Sequence, residues 1–151
     1  MNALVDEAEV AVVDRLALKV SLARGGESSE EATAFGLAWE AWSIWANGGF
    51  EGVLANPSGD HVALFVSALH LVGASEHAAL FQRAWTTLPS EAHDFSQRIG
   101  FLASGSAEAI NANRALAELD REMGNLPSVK VRLGELLALR PALRAEIESV
   151  S

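Results

Sequence analysis

The sequence predicts an all-α fold, and three observations carry that prediction. Apolar residues recur at helical spacing along nearly the whole of the 151 residues. The apolar set is dominated by Ala and Leu, with no Tyr and only 4 Pro, a balance that favours helices over sheets. No segment alternates apolar and polar residues as a half-buried strand does, and no repeat of solenoid length stands out. Seven or eight helices in a single domain over 1–151 follow, and 50% hydrophobic residues suffice for a core of that size.

The first helix runs from Leu4 to Arg24, with Val5, Val12, Val13, Leu16, Val20 and Ala23 at inward spacing, and Gly25-Gly26 ends it. Ser28 followed by Glu31 has the spacing of a capping box and opens the second helix, which runs to about Ala46. At about 100° per residue, Phe35, Trp39 and Trp42 share one face, Trp45 stands beside them, and Leu37 and Ile44 lie opposite. Only Thr33, Gly36, Glu40 and Ser43 form a polar strip. A helix apolar round most of its circumference belongs in the middle of a domain. Core packing therefore outweighs an aromatic cage as the use of the three tryptophans.

Asn47-Gly48-Gly49 stops this helix with positive-φ residues, and Phe50 carries the chain back into the core through a short helical stretch to Ala55. Asn56-Pro57-Ser58-Gly59 makes a second stop, so the stretch 46–60 reads as a double corner. Asp60 or Ser58 then caps a helix to about Val72, with Val62, Phe65, Val66 and Leu69 inward. Gly73 ends it, Ser75 caps the next, and Leu80, Phe81, Ala84 and Trp85 face the core. Pro89-Ser90 restarts the pattern through Phe95, Ile99 and Leu102. Ser106, with Glu108 in the first turn, opens a helix through Ile110, Leu116 and Leu119 to Met123. Gly124-Asn125-Leu126-Pro127 breaks it. A final helical pair covers 128–139 and 141–150, with Pro141 tolerated in a first turn.

Without cysteine the chain forms no disulfide, offers no thiolate and builds no Cys-based zinc site. Asp6, Glu7 and Glu9 stand where a targeting leader would carry basic and apolar residues, and no apolar run approaches the ~20 residues of a membrane span. A cytoplasmic protein is the expectation. Net charge is −9, unevenly placed: between Gly25 and Gln82 there are seven acids and no Lys or Arg, while the remainder carries 13 acids against 11 bases. Such asymmetry repels nucleic acid and membrane phosphates and attracts a basic partner. The bases are scattered, with no aromatic interleaving, so neither direct nucleic-acid binding nor membrane binding is expected.

Catalytic patterns are equally sparse. The four histidines, His61, His70, His77 and His93, form no His-x-x-x-His or Glu-x-x-His pair, and Gly73-Ala74 separates His70 from His77. Gly48-Gly49 lacks the Lys-Ser or Lys-Thr of a phosphate loop, and Ser104-Gly105-Ser106 is no nucleophile elbow. Nothing requires an enzyme. No catalytic residue, metal or cofactor is assigned.

The run Asn47-Gly48-Gly49-Phe50, followed by Asn56 before a Ser-Gly-Asp turn and then by a helix ending in Leu71-Val72-Gly73-Ala74, resembles the DNA-mimic-protein-like family of bacteria. The resemblance is clearest over about Trp39 to Trp85 and extends more faintly to Leu119-Asp120-Arg121-Glu122. It implies an all-helical fold. For the member type with a described role it also implies an acidic surface that imitates DNA phosphates and occupies the DNA-binding face of a helix-turn-helix repressor. On that reading the partner is a basic protein, a transcriptional regulator, held by carboxylates whose grip weakens as salt rises. The candidate partner-binding residues are Glu51 and Asp60 on the two corners, Glu40 on the polar strip, and Glu76 after the Gly73 break. The alternative is a cleft beside the double corner, lined by Asn47, Asn56 and the tryptophans, that takes a small ligand or peptide. Apolar helix faces left over would permit a homodimer.

Overall fold

Nearly every helix of this chain leans on one other. The computed structural model describes residues 7–23 and 28–150. Among these residues there are eight α-helices, one 3-10 turn and no strand, as the all-α prediction requires. The helices are α1 (Glu7–Leu22), α2 (Glu30–Leu54), α3 (Val62–Leu71), α4 (Ser75–Thr86), α5 (Phe95–Leu102), α6 (Ala107–Gly124), α7 (Val129–Leu139) and α8 (Pro141–Glu148); the 3-10 turn covers Pro57–His61. All the other elements contact α2, so the helix that is apolar on most sides does sit at the centre. The Gly25-Gly26 stop and the residues before Glu7 lie outside the described residues.

Aromatic rings hold the middle together. Phe35, Phe50, Phe65 and Phe81 are fully buried, and Phe81 meets Phe50 and Phe65 edge-on with centroids 5.1 and 6.4 Å apart. Leu16 of α1, Leu116 and Met123 of α6, Leu133 of α7 and Ile147 of α8 close the cluster around them. Trp39, Trp42 and Trp45 pack against this core without being fully enclosed. Trp39 and Trp45 use their polar edge as well: each indole N–H donates 2.9 Å to a carboxylate, of Asp14 and Asp120 respectively. Packing is thus their role, as expected, with a directional bond added.

Several helix starts differ from the spacing rules. Ser29, not Ser28, caps α2, its Oγ accepting from Ala32 N at 3.1 Å. Glu31 is not part of a capping box, and pairs instead with Arg140 at 3.0 Å. Asn56, not Ser58 or Asp60, opens the 3-10 turn that leads into α3. Helix α4 begins on Ser75 with no side-chain cap, and Ser75 Oγ bonds to His70 Nδ1 across the Gly73 turn, where φ is 85°. Helix α5 starts at Asp94, well after Pro89-Ser90, because Asp94 and Gln97 form a reciprocal capping box there. Ser106 and Pro141 act as predicted, and Ser128, read as the first residue of its helix, is instead the cap of α7. Ile99 and Ile110, expected inside, are 39% and 49% exposed, whereas Arg98 is wholly buried.

Candidate functional site

The first corner is a kink, not a stop. Asn47 and Gly48 stay helical, and of the expected pair only Gly49 departs, with φ 66° and ψ −169°. That region of backbone space is essentially reserved for glycine. The helix resumes at once through Phe50–Leu54. The break leaves the Phe50 N–H without its helical acceptor, and Asp120 Oδ1 of α6 takes it at 2.9 Å. The same oxygen accepts from Trp45 Nε1. A Cβ on Gly49 would lie 2.7 Å from Asp120 Oδ2, so a side chain there would collide with the carboxylate that stabilises the bend. The Asn-Gly-Gly-Phe run is therefore a seat for one carboxylate contributed from the far part of the chain.

The second corner is closed by a cation. Asn56 Oδ1 accepts from Ser58 N at 2.9 Å and starts the 3-10 turn, with Pro57 at its entry. Arg98 then reaches in from α5. Its Nε donates to Leu54 O at 2.8 Å and its Nη2 to Asn56 O at 3.1 Å, while Nη1 donates to His93 O and to Asp60 Oδ1. The guanidinium also lies 5.7 Å from the centroid of the Trp85 ring. Gly59 permits this approach, since a Cβ there would be 2.7 Å from Val53 O and 2.9 Å from Arg98 Nη2. Sequence reasoning counted Arg98 among scattered bases. A usable signal was present: Arg98 stands three residues after Phe95 and four before Leu102, at an inward position of α5.

Beside these corners lies a cleft of about 520 Å³, lined by Trp39, Glu40, Ser43, Asn47, Asn56 and Ser58, with Ile44, Gly48 and Gly52 completing its wall. A smaller hollow of about 350 Å³ shares Glu40 and Ser58 with it and continues past His61 to Leu64. The expected cleft with Asn47 and Asn56 thus exists, but of the tryptophans only Trp39 lines it. Trp45 turns to Asp120, and Trp42 lies tilted against Trp45 and edge-on to His77.

The four predicted acids are placed unequally. Glu40 is half-buried in the cleft wall, and Glu51 is exposed next to Gly52 of the same wall. Asp60 is half-exposed, and its carboxylate is engaged by Arg98. Glu76 is exposed in the first turn of α4 and lines neither hollow. The corners therefore gather Glu40, Glu51 and Asp60, and leave Glu76 on a separate element.

Charge pairing follows the asymmetry of the sequence. Lys130 pairs with Asp14 at 2.8 Å, and Arg83 with Glu122, Arg132 with Glu135 and Arg144 with Glu148, each at 3.2 Å. Among the described residues no cation lies within 4.0 Å of Glu51 or Glu76. Partial burial works to raise the Asp14 carboxyl, but bonds from Lys130 and Trp39 together with the Lys130 charge prevail and hold it below the ordinary carboxylate value. His77 is buried, and its Nε2–H donates to Pro127 O at 2.7 Å, pinning the α6–α7 connection. Among the described residues no three His, Asp or Glu side chains are grouped to hold a metal, and no helix is long and apolar enough to cross a membrane.

A family model described as DMP19-like protein matches residues 26–140 of the chain. That span includes both corners and the two residues, Arg98 and Asp120, that close them. No curated protein and no solved structure matches the chain.

Proposed function

As the chain belongs to the DMP19-like protein family, we propose that it acts without catalysis, as an acidic protein-binding module that imitates DNA toward a basic DNA-binding regulator. One observation carries this reading. Between Gly25 and Gln82 there is no Lys or Arg, and exposed Glu51 and Glu76 in that stretch have no cation beside them in the described structure. Bases elsewhere are largely engaged with local acids. Unscreened carboxylates make a negative field that steers a positively charged partner, and that field decays within about 8 Å at physiological salt. Direct pairing adds little per exposed residue, so the reading rests on the collective field.

The test is a titration of helix-turn-helix DNA-binding domains against the protein at low and high salt, with and without operator DNA. Binding should weaken steeply with salt, compete with DNA, and fall at least tenfold in a Glu51→Lys, Glu76→Lys double variant. Asp60 is left alone in this variant because its carboxylate serves Arg98. Binding that ignores salt, or that coexists with bound DNA, would refute mimicry.

A further inference from the structure

The cleft between the corners has chemistry that an acidic surface alone does not need. Its wall offers uncharged hydrogen-bonding groups of the peptide kind. The Asn47 side chain makes no hydrogen bond among the described residues, Ser58 Oγ has none, and Asn56 uses its Oδ1 while its Nδ2 donates to nothing described. Ser43 donates to Trp39 O and keeps its lone pairs for an acceptor role. Trp39 and Ile44 supply apolar wall between these groups.

Two further residues of the wall are glycines that the fold does not call for. Gly48 and Gly52 are helical, neither has a positive φ, and a Cβ added to either would meet no atom within 4 Å. This contrasts with Gly49 and Gly59, where a side chain collides. Bare backbone on either side of the Gly49 kink, on a cleft wall, lets another main chain approach closely. The charge at the rim is negative, with Glu51 exposed next to Gly52 and unpaired among the described residues.

We propose that this cleft receives an extended, lysine- or arginine-bearing segment of the protein partner, gripped by its main chain through Asn47, Asn56 and Ser58 and oriented by the acids at the rim. The inference rests on the reading of a basic partner, and it assigns part of that partner's recognition to backbone contacts that salt does not screen. A cleft of about 520 Å³ falls in the range of sites that enclose a small ligand or a few residues of peptide.

The experiment uses a fluorescent ten-residue peptide alternating lysine with serine, and the same peptide N-methylated on alternate amides. Anisotropy should report binding of the first, at least tenfold weaker binding of the second, and at least tenfold loss on Gly48→Gln or Gly52→Gln. Gly48→Ala and Gly52→Ala, which add only a methyl to open space, serve as a milder pair should the glutamines disturb the fold, and an unchanged Tm certifies each variant. If the wild-type protein does not bind the peptide, or binding survives the plugged cleft and N-methylation, the inference is overturned. Should binding survive those changes yet vanish in Glu51→Lys, Glu76→Lys, the cleft fails while the acidic-surface reading stands.

Discussion

Replacing Arg98 by methionine should cost this protein more than any surface substitution. Methionine fills a similar volume, so packing is largely kept and the loss is polar. Two backbone carbonyls, of Leu54 and His93, lose their side-chain donor, that of Asn56 keeps only Gly59 N–H, and Asp60 loses its counter-charge. A buried acceptor left without a partner costs about 1–3 kcal/mol. Asp60 is 47% exposed, so water can reach part of this group and lowers the total. About 3–5 kcal/mol remains, the usual range for breaking a buried pair from one side. With a urea slope of about 2 kcal/mol/M, the unfolding midpoint should fall by roughly 2 M. Tryptophan emission is a suitable probe, because Trp85 lies beneath the guanidinium. Asp60→Asn should cost less than about 1 kcal/mol, since an oxygen acceptor remains and the pair is half in water. An Arg98→Met loss below about 1 kcal/mol, or an equal loss from Asp60→Asn, would refute the claim that Arg98 chiefly serves the carbonyls of the second corner.

The first corner and the α1–α7 contact yield three more expectations. Gly49→Ala should cost at least about 2 kcal/mol, from a glycine-only conformation and the contact with Asp120, whereas Gly48→Ala should cost nothing; equal Tm values for the two would sink the backbone explanation. Asp120→Ala should lose about 2–3 kcal/mol and Asp120→Asn distinctly less, as the amide retains an oxygen for Phe50 N and Trp45 Nε1. Because the Asp14 carboxyl titrates below its ordinary value when folded, its stabilising effect is present above the unfolded value and disappears as pH falls through the folded one. The stability difference between wild type and Asp14→Asn should therefore be full above about pH 5 and shrink as pH falls through the folded value; a difference unchanged by acid would contradict the pairing with Lys130 and Trp39.

What the sequence disclosed depended on whether a residue's partner was nearby in the chain. The place of α2 follows from its own apolar circumference, and Gly73, Ser106, Ser128 and Pro141 act within a turn of themselves. The Ser28 cap missed by one residue because Ser29 satisfies the same rule and Glu31 has a better use against Arg140. Gly49 was legible as a backbone exception, but a kink and a stop share that signal. Which of the two occurs is decided by Asp120, and nothing local to Asn47-Gly48-Gly49 announces a carboxylate 70 residues beyond Phe50. Arg98 was hidden in the same way, its acceptors lying some 40 residues earlier. In the candidate site, Asn47, Asn56 and Trp39 were correctly brought to one cleft. Asp60 was read as an available acid on its position alone, which did not disclose that Arg98 engages it.

The two corners also set a clock for the nascent chain. Each is bent by a residue that the ribosome makes much later, Arg98 for the second and Asp120 for the first. At about 5–20 residues per second, α2 waits several seconds with its indoles and its broken backbone unsealed. Loop-closure entropy favours the shorter connection only slightly, so it is synthesis order that should lock the second corner before the first. Arrested chains ending beyond residue 97 and beyond residue 119 should then differ in protease protection near Gly49, and protection already complete in the shorter chain would disprove this order.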